Sequence, residues 1–139
     1  MTSDDLIQQL EHCTLPESAF GHRAHVQAGF AYLQRHGYAG ALGTMGETLR
    51  RFAAHHGKED LYHETITAAF LALIHERMAE DLVERGIPIE MTGARQLEWE
   101  QFEKRHPDLF SSDLLERYYG KERLDSELAR CCFILPGGG

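Results

Sequence analysis

Apolar residues recur at intervals of three and four along most of the chain, the spacing that places them on one face of an α-helix. The clearest stripe contains Ile66, Phe70 and Leu73. Gly86 and Pro88 follow it, and both residues are typical of a helix end. The pattern predicts seven helices, over residues 3–12, 22–36, 40–55, 60–85, 94–105, 112–119 and 124–132.

The ends of several predicted helices carry residues suited to capping. Gly37 follows the second helix and predicts a C-cap there, because glycine readily adopts a left-handed backbone. Asp60, Ser112 and Asp125 precede later helices, and their side chains can accept hydrogen bonds from free helix amides. These residues predict sharp helix boundaries.

Strand signals are weak, because β-branched residues are scarce and sustained alternation of polar and apolar residues is absent. Residues 86–91 could be extended, but a single such segment does not make a sheet. We therefore predict an all-α fold, a compact single-domain bundle of five to seven helices over residues 1–135. Residues 136–139, which are rich in glycine, are predicted to be disordered.

Composition narrows the class of protein further. The chain has 139 residues and a formal net charge of −8, from 22 acidic against 14 basic residues. A surface that binds nucleic acid needs clustered lysine and arginine, so nucleic acid is not an expected partner. No apolar run approaches the roughly 20 residues that cross a bilayer, so a membrane is not expected either.

The cysteines and the amino-terminal residues indicate a compartment. Cys13, Cys131 and Cys132 are odd in number and two are adjacent, which does not fit a disulfide framework or a Cys-x-x-Cys zinc site. The first residues lack the basic and apolar regions of a signal peptide. We expect a cytoplasmic protein with free thiols.

Two clusters of polar residues are the candidates for chemistry. His22 and His25 are three residues apart and so share a helix face. His63 and Glu64 begin the longest predicted helix, where the helix dipole favours a neutral imidazole that can donate a lone pair. The sequence predicts that His22, His25 and His63 bind one divalent transition metal, which could be zinc, iron, nickel or copper. Glu64 would act as a general base or as a hydrogen-bond partner of a ligand.

The other histidines have simpler explanations, since a histidine near a helix end is commonly a cap or a solvated side chain. His55 and His56 lie in the last turn of a predicted helix, where the dipole favours cations. His56 is the first substitute if one of the proposed ligands fails. The remaining four are predicted to be surface residues: His12, His36, His75 and His106.

Two threonines lie inside the best predicted helix, although threonine is a weak helix former. Thr65 and Thr67 therefore either line a pocket or bond to a carbonyl one turn earlier in the helix. The pattern leaves both possibilities open.

Several short motifs stand out along the chain, at residues 20–26, 50–52, 56–57, 62–67, 115–119 and 124–126. The most distinctive are Phe20-x-His22-x-x-His25 and the run Tyr62-His-Glu-Thr-Ile-Thr67. In these motifs the chain resembles a family of small bacterial proteins, and the likeness covers nearly its whole length. The resemblance implies a single-domain bacterial protein and brings no activity with it.

Three hypotheses of function follow from these observations. The first is a small metal-dependent enzyme, a lyase, hydrolase or oxygenase, that acts on a small polar molecule at the histidine site. The second is a non-enzymatic ligand-binding or accessory module, in which the same histidines line a pocket or an interface. The third is a metal-free acid–base enzyme that uses His63 and Glu64 as a pair. A homodimer is compatible with each of them.

Overall fold

A computed structural model describes residues 1–88 and 96–137 of the chain. Over these ranges the chain forms seven α-helices and no strand, which confirms the predicted all-α fold. Three predictions reach beyond the described residues: the start of a helix at 94, the second half of the extended segment 86–91, and the end of the glycine-rich tail at 138–139.

The helices follow the predicted order along the chain. They are α1 (Ser3–Glu11), α2 (His22–His55), α3 (Glu64–Glu84), α4 (Trp99–Arg105), α5 (Leu114–Tyr119), α6 (Lys121–Leu124) and α7 (Glu127–Cys131). Short 3₁₀ turns lie between helices at Glu17–Ala19, Glu59–Leu61 and Pro107–Phe110.

Helix α2 is broken at Gly37, where two separate helices were predicted to meet. Gly37 has φ 70° and ψ −179°, a conformation that L side chains rarely adopt. The hydroxyl of Tyr32 lies 3.2 Å from that of Thr48, across the break. The two halves of α2 therefore fold back along one another with no loop between them, and Gly37 is a hinge as well as a helix end.

The core lies between α2 and α3, and α1 also packs against α2. Buried side chains from both parts of α2 meet the apolar stripe of α3, which includes Phe70 and Ile74. At Gly29 the helices approach so closely that an added Cβ would lie 2.8 Å from Cδ1 of Ile74. The hydroxyl of Tyr32 donates to Glu11 of α1 at 3.0 Å, and burial raises the pKa of this phenol to about 12.

The short carboxy-terminal helices differ from prediction at their first residues. Helix α5 is preceded by Asp113 and not by Ser112, and Asp113 makes no capping bond with its side chain. The N-cap of α7 is Ser126, whose hydroxyl accepts from the amide of Ala129 at 3.2 Å. Asp125 is instead the C-cap of α6, the residue just after the helix, and its amide donates to the backbone oxygen of Lys121 at 2.9 Å. The predicted N-caps of α5 and α7 were therefore wrong, each by one residue.

Among the described residues, no helix is both long enough and apolar enough to span a membrane.

Candidate functional site

A cavity of about 340 Å³ lies where both ends of α2 meet the first turns of α3. The two 3₁₀ turns at Glu17–Ala19 and Glu59–Leu61 border it. Its lining is largely apolar, with three histidines and one pair of opposite charges. The lining residues are Glu17, Phe20, His25, Leu49, Phe52, Ala53, His56, Lys58, Leu61, Tyr62, His63, Ile66 and Thr67.

The fold brings two of the four predicted site residues to this cavity. His25 and His63 line it, whereas His22 and Glu64 are not among its lining residues. His22 and His25 remain neighbours, because both rings pack on Phe70, with centroid distances of 5.0 Å and 6.2 Å. The polar clusters therefore meet in space, but with their side chains in different roles.

His25 is a half-buried imidazole stacked on Phe20, with ring centroids 5.6 Å apart. Burial, with a smaller contribution from neighbouring His22, lowers the pKa of His25 to about 4. Neither ring nitrogen has a hydrogen-bond partner among the described residues. His25 is therefore neutral at physiological pH, with one donor and one acceptor free for a ligand.

His63 uses both of its ring nitrogens within the protein. Its Nδ1 accepts from the amide of Ile66 at 3.1 Å, which makes His63 the N-cap of α3. Its Nε2 donates to the backbone oxygen of Leu124 at 2.7 Å. The prediction of Asp60 as this cap was wrong, since Asp60 lies in the preceding 3₁₀ turn. No lone pair on His63 remains for a metal or a substrate.

His22 is a tether for the chain segment that precedes α5. Its Nε2 donates to the backbone oxygen of Leu109 at 2.9 Å, and Leu109 is fully buried. A neutral ring with its proton on Nε2 keeps a lone pair on Nδ1. His22 thus has one nitrogen committed to the fold.

Glu64 contacts Tyr62, one of the residues that line the cavity. Its Oε2 accepts from Arg50 at 2.7 Å and from the hydroxyl of Tyr62 at 3.1 Å. The Arg50 guanidinium also lies over the Tyr62 ring, 4.6 Å from its centroid. Tyr62 lines the cavity, and burial raises the pKa of its phenol. Glu64 therefore acts on the cavity by positioning Tyr62.

These contacts bear directly on the predicted metal site. His22 and His25 each keep a lone pair, whereas both nitrogens of His63 are engaged. Within residues 1–88 and 96–137, no group of three or more histidines, cysteines and carboxylates could hold a metal ion. A metal bound by His22, His25 and His63 stays a prediction from the sequence.

His56 has the free polar atom that His63 lacks. It lines the cavity, and its ring lies edge-on to Phe52 with centroids 4.6 Å apart. Its Nε2 is buried and has no hydrogen-bond partner. The sequence analysis gave His56 as a substitute ligand, and it lines the same cavity as His25.

An ion pair marks the rim of the cavity. Lys58 contacts the carboxylate of Glu17, and their side chains are 48% and 44% exposed. Leu61, which also lines the cavity, is 66% exposed. The cavity therefore reaches the surface at the two 3₁₀ turns. Sequence analysis does not reveal this pair, because the two residues are 41 positions apart.

The two threonines of α3 have separate roles. Thr67 lines the cavity, and its hydroxyl donates to the backbone oxygen of His63 at 2.9 Å. It therefore does both things that the sequence allowed: it lines a pocket, and it bonds to a carbonyl one turn earlier in the helix. Thr65 is fully buried away from the cavity. Its hydroxyl donates to the backbone oxygen of Cys132 at 2.8 Å and accepts from the amide of Ile134 at 3.2 Å. Thr65 therefore anchors the segment that follows α7.

His106 is not the surface residue that was predicted. Its Nε2 donates to Asp81 at 2.9 Å, and Asp81 is 3% exposed. Arg77 joins the same region by two hydrogen bonds to Asp108, at 2.8 Å and 2.6 Å. The buried carboxylate of Asp81 needs a hydrogen-bond partner such as His106. The contact between them ties α3 to the turn after α4. The other three histidines predicted at the surface are exposed: His12, His36 and His75.

Comparison with known proteins does not assign a function to this site. No protein-family model matches the chain, and searches of curated proteins and of solved structures gave no match either. Function therefore has to be argued from the cavity and its side chains.

Proposed function

We propose that the protein binds a small molecule with a largely apolar body in the cavity, as a ligand-binding module. The observation that carries this proposal is an apolar cavity of about 340 Å³ in which His25 and the Nε2 of His56 have no hydrogen-bond partner. Ligand sites are commonly of this kind, mostly apolar with a few polar groups that fix orientation.

The volume supports a ligand of moderate size. An apolar cavity of about 150 Å³ is large enough to bind benzene. The present cavity is a little more than twice that volume, at about 340 Å³. A fused bicyclic ring system with one small substituent suits this space, and the rings of Phe20 and Phe52, 5.5 Å apart, offer aromatic contacts.

The two imidazoles supply the polar contacts. A buried polar atom without a partner costs about 1–3 kcal/mol, so a ligand that pairs with Nε2 of His56 removes an existing penalty. Neutral His25 can donate or accept, according to its tautomer. A ligand with an apolar body and a few polar atoms can pair with these rings while its body contacts the rest of the wall.

Binding without catalysis is favoured by what surrounds these histidines. Catalytic histidines are usually oriented by a carboxylate or another polar group. In the described part of the chain neither His25 nor His56 has such a partner, and the His63–Glu64 pair is divided between a helix cap and the Arg50 contact.

Calorimetry and ¹H–¹⁵N NMR with naphthalene-1-carboxamide test the proposal. We expect saturable binding to one site, with shifted amide signals for Leu49, Ile66 and Thr67, which line the cavity. Ala53→Trp fills the cavity and should abolish binding. Ala54→Trp is the matched control, because Ala54 is exposed on the same helix and should bind normally.

Either of two results would contradict the proposal. The first is a lack of saturable binding by the folded wild-type chain. The second is equal loss of affinity in Ala53→Trp and Ala54→Trp, which would place the bound probe outside the cavity.

A further inference from the structure

The charged rim of the cavity indicates which polar group the ligand carries. Among the described lining residues Lys58 is the one lysine or arginine, and Glu17 is the one carboxylate. These two side chains contact each other. In the absence of a ligand, the cation at the rim is thus neutralised by a side chain of the protein itself.

Lys58 and His56 can both offer hydrogen-bond donors to a ligand in the cavity. The ammonium group of Lys58 has three N–H donors and no acceptor. His56 is two residues away and lines the same cavity, and its buried Nε2 can carry a proton. A carboxylate, which only accepts, complements this pair better than a hydroxyl or an amide, and hydrogen bonds between charged groups are the stronger ones.

Exchange of Glu17 for a ligand carboxylate costs little. Both side chains of the ion pair are about half exposed, and exposed pairs of this kind contribute little to stability. The Glu17 carboxylate makes no second hydrogen bond within the described residues. When displaced, it returns to water, while Lys58 exchanges one carboxylate for another. Burial of the ligand's apolar body then supplies the favourable free energy of binding.

We propose that the ligand is an amphiphilic monocarboxylate, whose carboxylate replaces that of Glu17 at Lys58 and contacts His56. Its apolar part fills the cavity between α2 and α3. The inference rests on the proposed ligand pocket and adds the class of ligand. Glu17 is then a built-in competitor that lowers the affinity of the empty site.

Two probes of the same shape test this inference by calorimetry: naphthalene-1-carboxylate and the neutral naphthalene-1-carboxamide. Wild-type protein should bind the carboxylate more tightly than the amide. Glu17→Gln removes the competitor and should tighten carboxylate binding by about two- to fivefold, with little change for the amide. Lys58→Gln should weaken carboxylate binding by about tenfold and so remove the preference.

Variants elsewhere on the surface control for net charge. Glu47→Gln changes the charge as Glu17→Gln does, but Glu47 is 79% exposed and pairs with Arg51 away from the cavity. Lys121→Gln is the control for Lys58→Gln, because Lys121 pairs with Asp125 on α6. Both controls should keep the wild-type affinity for each probe. Urea unfolding curves establish that all four variants are folded.

The outcomes separate this inference from the proposed function. If both probes bind equally well and Glu17→Gln does not change their ratio, the ligand pocket stands and the carboxylate inference is wrong. The inference is also wrong if Glu47→Gln tightens carboxylate binding as much as Glu17→Gln. If neither probe binds the wild-type protein, the pocket itself is wrong.

Discussion

The Nε2 atom of His63 lies 2.7 Å from the backbone oxygen of Leu124 and donates a hydrogen bond to it. The opposite nitrogen of the ring, Nδ1, accepts from the amide of Ile66 at 3.1 Å. An imidazole that accepts at Nδ1 and donates at Nε2 is neutral and has a single possible tautomer. One side chain therefore caps α3 and joins its start to the end of α6.

Replacement of His63 should separate the contribution of the helix cap to stability from that of the hydrogen bond to Leu124. His63→Ala loses the cap and leaves the Leu124 oxygen without its partner, so we expect a loss of about 2 kcal/mol of unfolding free energy. His63→Asn restores a good capping residue but is too short to reach Leu124, and should lose about 1 kcal/mol. Urea denaturation measures both values. Equal losses in the two variants would show that the cap contributes nothing.

The same hydrogen bonds make a prediction about metal content. A metal held by His22, His25 and His63 requires His63 to release one of its two bonds, because each metal–nitrogen bond uses a lone pair. We expect protein purified without a histidine tag to contain metal well below one equivalent by elemental analysis. Near-stoichiometric metal that disappears in His22→Ala and His63→Ala would instead establish the predicted metal site.

The low pKa of the half-buried His25 ring predicts how stability changes with pH. Its pKa in the folded protein is about 4, against about 6.5 for an unfolded histidine. Between these pH values the unfolded chain binds a proton at this ring and the folded protein does not. The contribution of His25 to the free energy of unfolding is therefore fully present above pH 6.5 and is lost as the pH falls towards 4. This residue alone should cost about 2 kcal/mol between pH 7 and pH 5.

Comparison with His25→Gln isolates this effect from the other histidines. The unfolding free energies of wild-type protein and His25→Gln are measured in urea at pH 7 and at pH 5. The difference between the two proteins should be smaller at pH 5. The variant lacks the titrating ring, so it should lose less stability on acidification. A difference that stays constant with pH would show that His25 titrates normally in the folded state.

Two glycines of α2 should respond oppositely to the same substitution. Gly37→Ala places a Cβ at φ 70° and ψ −179°, which should destabilise the fold by about 1–3 kcal/mol. Gly43 is exposed in the helix, and no atom lies within 4 Å of an added Cβ. Gly43→Ala should therefore stabilise the protein by about 0.5–1 kcal/mol. Thermal unfolding reports both shifts, and the same sign for both would contradict the hinge at Gly37.

Periodicity was sufficient to predict the fold class and the positions of most helices. Apolar spacing is a local property, and Gly37 carries its own conformational signal. Helix caps were less predictable, since the choice of cap at α3 depends on distant contacts. Asp60 has the better intrinsic propensity, yet His63 is the cap because its second nitrogen reaches Leu124, which is 61 residues away in the chain.

The sequence indicated which residues to consider at the site more readily than it indicated their roles. Its histidine clusters included His25 and His63, which line one cavity together with His56. Whether a given imidazole is free or committed depends on which backbone oxygen lies opposite its second nitrogen. No spacing rule contains that information. The Lys58–Glu17 pair was missed for a similar reason, since ordinary surface charges carry no sign of their partner.

The attachment of α3 also has a consequence for the order in which the molecule is completed during translation. His63 and Thr65 bond to Leu124 and Cys132, which are synthesised 61 and 67 residues later. While those residues are still inside the ribosomal exit tunnel, both side chains at the start of α3 lack these partners. The wall formed by His63 therefore reaches its final arrangement late, only after the segment from Leu124 to Cys132 has emerged from the tunnel.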